Sequence, residues 1–272
     1  MTAETDLSRS GYATHTPRAA RRRLALVRFL PPLSLVVFLI AWEMVVRVGD
    51  YPAYILPSPG RIGARLIDML ASGALWQQAR VTLIEVLSGL ALGVGFASLL
   101  GYALAKSVAL ERVLSPYLVA SQAVPIIAIA PLLIIWLGPG MFSKVLISAL
   151  VVFFPVLINT IVGLRAVPAD LRDLMRSLRA TRWQTFVKLE LPAALPVLLG
   201  GLKIGATLSV IGAVVGEFAG ADRGLGFLIS LANGLYDTPQ MFVGVLALIV
   251  MALSLYGGVA WLERRLLAWR RL

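Results

Sequence analysis

The 272 residues include no cysteine and a single histidine, His15. The first absence excludes disulfides and thiolate metal sites. The second leaves no imidazole for proton transfer or metal binding outside the polar N-terminal stretch that carries His15. Charge is also scarce: 14% of residues are Asp, Glu, Lys or Arg, against about 25% in an ordinary soluble domain. No G-x-x-x-x-G-K-[ST] loop, HExxH pattern or GxSxG elbow occurs. Nucleotide hydrolysis, zinc hydrolysis and serine acyl transfer therefore lack their usual equipment in this chain.

What is present is apolar. Hydrophobic residues make up 59% of the chain, in runs long enough to cross a hydrocarbon layer about 30 Å thick at about 1.5 Å per helical residue. We expect an all-α integral membrane protein with six transmembrane helices near residues 29–48, 83–105, 113–137, 144–164, 193–217 and 241–261. Residues 1–28 read as a disordered cytoplasmic tail and 29–272 as one transmembrane domain. The first run follows Arg21, Arg22, Arg23 and Arg28, yet it is long for a signal peptide and no small-x-small cleavage site follows it, so it reads as an uncleaved helix.

The net charge of +11 has a topological explanation. Most Lys and Arg fall in the N-terminal tail, the 106–112 loop, the 165–188 stretch and the C-terminus, whereas the opposite side holds only Arg61, Arg65, Arg80, Lys144 and Arg223. The positive-inside bias puts both termini in the cytoplasm and accounts for the excess without nucleic acid.

Two spans carry small residues at four-residue spacing: Gly89, Gly93, Ala97 and Gly101 in the second, and Gly201, Gly205 and Ser209 followed by Gly212, Gly216 and Gly220 in the fifth. Such stripes let helix backbones approach closely in lipid, either within one subunit or at a dimer or moving seam. The third span is interrupted by Pro125 and Pro131, with Ser121 and Gln122 just before. A broken helix at membrane depth is tolerated where protein buries it or where it lines a wet cavity. Gln122 and Pro125, with Asn159, Thr160 and Ser209, are therefore candidate path residues. Glu43, Glu85, Lys203 and Glu217 are ionisable groups in or near spans, where charge faces protein or water. Lys203 reads as attracting an anion or holding a carboxylate, and Glu217 as fixing a helix or loop.

The segment from Arg165 to Pro196, RAVPADLRDLMRSLRATRWQTFVKLELPAALP, is too long for a minimal turn between helices. Pro168 suits a first turn, Asp170 and Asp173 favour the positive end of a helix, and Arg176 and Arg179 its negative end. Leu171, Leu174, Met175 and Leu178 form one apolar face at helical spacing. Thr181 with Gln184 is a capping-box pattern, and Pro192 closes the loop before the fifth span. The expected arrangement is helix, turn, helix.

At this loop the chain resembles the permease subunits of binding-protein-dependent ATP-binding cassette importers. Their signature, EAA, three residues, Gly, nine residues, I, any residue, LP, is matched in spacing by Asp173, Leu174, Met175, Arg179, Leu189, Leu191 and Pro192, although only the LP end is literal. Arg179 stands at the glycine place, where the family's short helix ends in a left-handed residue. Further similarity runs through AWEMVVRVG, LPSP, LWQ, PLLIIWLG, FFPVLINT and RGLGFLI, and it resembles the branch that handles aliphatic sulfonates, taurine and nitrate.

The resemblance implies a type I importer fold, a homodimer in the bacterial inner membrane, two separate ATPase subunits that use ATP and Mg, and an extracytoplasmic solute-binding protein. This chain itself would bind no cofactor. The coupling surface would be Ala169, Asp170, Leu171, Asp173, Leu174, Met175, Arg176 and Ser177 with Arg179, Leu189, Leu191 and Pro192. Lys203 would be a path residue, and Arg223, Gly224, Gly226 and Phe227 would serve the outer gate or binding-protein contact, with the 59–78 stretch as a second docking candidate. A secondary transporter or channel is the rival reading. It calls for interrupted helices in both halves of the chain and denser intramembrane charge.

Overall fold

The computed structural model describes the backbone of residues 18–268 and the side chains of residues 33–268. The expected tail from 1 to 17 lies outside the described residues. Its remainder does not stay irregular, because helix α1 (Arg18–Val48) already begins at Arg18. Among the described residues every regular element is helical: α2 (Pro59–Ala71), α3 (Ala74–Lys106), α4 (Val108–Gln122), α5 (Ile126–Leu137), α6 (Met141–Arg165), α7 (Ala169–Ser177), α8 (Arg182–Thr185), α9 (Leu191–Gly220), α10 (Leu225–Gly234) and α11 (Thr238–Leu266).

The centre is a slab of three helices with α6 between α3 and α9. Lipid offers little hydrophobic drive for one apolar helix to leave it for another, so association depends on close packing. Glycine makes that packing possible. A Cβ added to Gly101 of α3 would stand 2.7 Å from Thr160 Cβ, and one added to Gly212 of α9 would stand 2.6 Å from the Cα of Ser148. Gly93 meets Ala149 and Val152, Gly201 meets Asn159, and Gly216 meets Lys144. Both stripes are therefore used inside this chain, against opposite flanks of α6. Ala97 and Leu104 of α3 complete the seam with Val152, Val156 and Leu157 of α6.

Among the described residues, four continuous helices are long and apolar enough to cross a membrane: Ala74–Lys106, Met141–Arg165, Arg182–Gly220 and Thr238–Leu266. The expected first span lies within α1, of which only the part from Leu33 on has described side chains. The expected third span, 113–137, read as a broken helix, is built as two helices, α4 and α5, bent by 93°. The break falls at 123–125 and not at Pro131, which sits inside α5. Pro125 stands before α5 with extended φ/ψ; it has no N–H with which to continue the α4 ladder and disfavours helical φ/ψ at Val124, so α4 ends before it.

The loop before α9 is corrected as well. Pro192 does not interrupt the chain: a helix runs from Arg182 to Gly220 through a π-helical segment, Phe186–Glu190. The wider turn absorbs a proline at the start of α9, where no α-type donor is required of it. At the other end of α9, α10 buries Leu225, Leu228, Ile229 and Ala232. Leu225 and Leu228 pack with Ile62 and Met69 of α2, Leu75 of α3 and Val243 of α11.

Candidate functional site

Two short helices, α7 and α10, are mounted at opposite ends of the slab, and each is fixed by side chains that the longer helices supply. At the first end, Pro168 precedes α7 in an extended conformation, Asp170 stands in its first turn and Arg176 in its last. The helix stops at Leu178, and Arg179 takes φ +51. The Ala180 N–H then donates to the Met175 carbonyl at 3.0 Å. Thr181 and Gln184 form the expected reciprocal box, with the Thr181 N–H donating to Gln184 Oε1 at 2.8 Å and the Gln184 N–H to Thr181 Oγ1 at 3.2 Å.

Under α7 lies the buried carboxylate of Glu190 at the end of the π segment. It pairs with Lys106 from the end of α3, and Arg172 Nε of α7 approaches it to 3.8 Å. Arg172 also donates to the Leu164 carbonyl at 2.7 Å. Beside this cluster, Arg165 makes a bidentate pair with Glu111 and donates to the Leu104 carbonyl at 3.2 Å. The C-terminal ends of α3 and α6 are thus tied to α7 and to the start of α9 through charged groups that also satisfy helix-end carbonyls.

The outer face of α7 is left bare. Leu171, Leu174 and Leu178 are 42%, 53% and 68% exposed. Ala169, Asp170, Asp173, Arg176 and Ser177 share that exposure, and Asp173 pairs with Arg176 at 2.8 Å. The single apolar face expected from spacing is corrected at Met175, which turns half inward with Arg172. Leu189, Leu191 and Pro192 are half-buried behind it.

At the second end the N-terminal N–H groups of α10 are captured in succession. Gly224 donates to Gln78 Oε1 at 2.6 Å, Leu225 to Thr82 Oγ1 at 2.7 Å, and Gly226 to Glu217 Oε2. The Thr82 hydroxyl donates in turn to Glu217 Oε1 at 2.6 Å. Next to them Glu85 and Lys144 are both buried, 3.4 Å apart. Lys144, expected at the outer boundary, is therefore an interior residue of α6 whose charge Glu85 balances. Gly224 has φ +116, and a Cβ on Gly226 would lie 2.7 Å from Glu217 Oε2, so this approach of backbone to carboxylate requires glycine at both places. Arg223 is exposed, and Phe227 lines a groove with Phe218, Ser230 and Leu231.

The expected path residues divide. Gln122 and Pro125 are exposed at the α4–α5 break. Asn159 and Thr160 bond back to the Pro155 and Val156 carbonyls at 2.8 Å each, and Ser209 bonds back to Ala206 at 2.9 Å. Thr160 and Ser209 are buried in the seams of the slab, although Thr160 also borders a groove with Ser98, Tyr102, Arg182, Trp183 and Phe186. Lys203 is held by Glu263 of α11, with its ammonium over the Tyr256 ring. Of its two readings, the carboxylate holder is the one the geometry realises. Sequence reasoning missed Lys106, Arg172 and Glu190. The available signal was Glu190 itself, an acid set in the run Phe186 to Leu199 otherwise broken only by Lys188 and prolines.

The architecture is that of an importer permease. A chain of the MetNI methionine ABC transporter, solved in inward-facing conformations, superposes with a TM-score of 0.60 over 74% of this chain and 98% of that one, at 19% identity. The chain belongs to the family of binding-protein-dependent transport system inner membrane components, whose model matches residues 89–268. Among its relatives, the riboflavin transport system permease protein RibX of Chloroflexus aurantiacus is 46% identical, with 88% of this chain and 89% of that protein covered. The aliphatic sulfonates transport permease protein SsuC of Bacillus subtilis is 34% identical, over 86% and 85% respectively. The chain is thus a multi-pass transport permease of the ABC importer class, the non-catalytic membrane component, and its family implies an ATPase and a binding protein as partners.

Proposed function

We propose that two copies of this chain form the translocation path of an ATP-driven importer, each with six spans and both termini in the cytoplasm. The exposed leucine face of α7 carries this reading: an apolar helix face left bare at the basic end of the molecule is built to be covered by a soluble subunit. In this arrangement α7 docks into a separate ATPase subunit, which holds ATP and Mg. Glu190, Lys106 and Arg172 then pass its displacement to α3, α6 and α9. The α10 end faces out and receives solute from the binding protein.

For the solute, the reading we favour is an uncharged heteroaromatic molecule. Two observations support it. The three lysines of the slab are each already paired, Lys106 with Glu190, Lys144 with Glu85 and Lys203 with Glu263, which leaves none of them as a free ammonium for a permanent anion. The relative at 46% identity is a riboflavin permease. An aliphatic sulfonate or taurine is the second reading, favoured by the sulfonate relative, with nitrate or cyanate behind it. Reconstitution with the partner ATPase and binding protein in proteoliposomes tests both levels. We expect ATP-dependent uptake of riboflavin to exceed that of taurine by at least about tenfold, the ratio that 1.4 kcal/mol of discrimination gives. Uptake of taurine alone would replace the solute, and uptake without ATPase would overturn the mechanism.

A further inference from the structure

The buried groups at the α10 end have no role in the scheme above, and their chemistry is specific. A helix N-terminus exposes several N–H groups without intrahelical partners, and α10 meets this need with no cap of its own, since Gly224 has no side chain to offer. Its acceptors come instead from two other helices: Gln78 and Thr82 of α3, and Glu217 of α9. Thr82 is the pivot. Its hydroxyl oxygen accepts from the Leu225 N–H while its proton goes to Glu217, so one side chain joins α3, α9 and α10. Thr82 and Glu217 are buried, as are their charged neighbours Glu85 of α3 and Lys144 of α6. The helix fixed in this way presents Phe227, Ser230 and Leu231 to a groove shared with Phe218 of α9.

Resting on the transport reading, we propose that Thr82 and Glu217 are positioning residues that seat α10 on the ends of α3 and α9, and that this seating is required for solute passage at that end. The three helices move as one body, and the gate surface of α10 keeps its register with α9 through the cycle. Packing alone does not explain the arrangement, because valine would fill the space of Thr82 without either hydrogen bond.

The native absence of cysteine makes the test clean. In the full chain assembled with its ATPase and binding protein in proteoliposomes, Leu225→Cys places one thiol in the chain at a buried position next to Thr82. Modification by N-ethylmaleimide then reports how often the start of α10 lifts. We expect Thr82→Val to raise the labelling rate at least about tenfold and to lower ATP-driven uptake by a similar factor, and Thr82→Ser to restore both to within about twofold. Gln78→Leu, which removes only the outermost acceptor, is expected to raise labelling about threefold and guards against a Thr82 variant that fails to assemble. Labelling and uptake at parental levels in Thr82→Val, or faster labelling with unchanged uptake, would overturn the proposal. A parental complex that labels slowly but transports nothing with ATP defeats the transport reading and leaves the seating of α10 to be decided by the labelling contrast.

Discussion

The two ends of the slab solve the same mechanical problem with opposite chemistry. Both must hold a short helix against the ends of α3 and α9. At the α10 end the fastening is buried and built from short bonds to backbone N–H groups, and α10 sinks Leu225, Leu228, Ile229 and Ala232 into the protein. At the α7 end the fastening is ionic and only partly buried, and α7 buries none of its residues. A helix that supplies its own burial is finished within the chain. One that leaves its leucines in water is waiting for another surface.

The contrast breaks hardest at Lys144. Removing it by Lys144→Ala leaves Glu85 buried with no cation and Glu217 nearby, and loss of one partner of a buried pair costs about 3–5 kcal/mol. We expect little assembled protein from membranes and a steep fall in the detergent melting temperature. Wild-type yield and melting would show that this end tolerates unbalanced charge, and the difference between the two ends would collapse.

Glu190→Ala comes next. Its carboxylate is buried, but Lys106 is 42% exposed and can return to water, so the loss is milder, about 1.5–3 kcal/mol for charge-assisted bonds. The larger effect is expected in function. ATP hydrolysis by the assembled complex should persist while uptake per ATP falls, because α7 keeps its docking face and loses its link to α3. Equal losses of hydrolysis and uptake would assign Glu190 to assembly instead of transmission.

Much of this was legible in the residues, and the gaps have physical causes. The glycine stripes located the seams because only close backbone packing rewards four-residue repeats of small side chains in lipid. Nothing in them said that both seams face α6, since a stripe names a face and not its partner. Pro125 announced a break. Its angle depended on how α5 lies against α6 and α9, which spacing does not encode. Lys144 looked like a boundary charge because it follows Gly138, Pro139 and Gly140 closely. Its burial is decided by Glu85, far away in sequence. Thr82 carried no motif at all, and its role exists only because the fold brings Leu225 and Glu217 to it.

Leu174 sharpens the comparison from the other side. It is 53% exposed, so Leu174→Ser should change the melting temperature of the isolated permease by less than the equivalent of about 0.5 kcal/mol. Paired with Leu171→Ser, it should reduce co-purification of the ATPase at least about tenfold, as loss of a central apolar anchor does at an interface. Substituting Leu228 in α10 should do the reverse, lowering stability and sparing ATPase capture. If the α7 pair and the Leu228 variant behave alike, the two short helices are not the different devices their burial describes.

The smallest effect is expected at Arg179, and its sign is unusual because the substitution should help. An L-residue in the left-handed region brings its Cβ close to the following carbonyl, at a cost of about 1 kcal/mol that glycine does not incur. Arg179 has φ +51, makes no ion pair among the described residues, and ends α7 at the place where the importer signature carries glycine. Arg179→Gly should therefore raise the stability of the permease by several tenths of a kcal/mol up to about 1, less the entropy that glycine adds to the unfolded chain. Thermal melting of the purified permease measures this directly, and ATPase capture measured in parallel separates strain from recognition. A more stable variant with intact capture marks Arg179 as tolerated strain. A more stable variant that binds the ATPase less well gives the guanidinium a part in docking, and then the α7 end gives up stability for its partner where the α10 end does not.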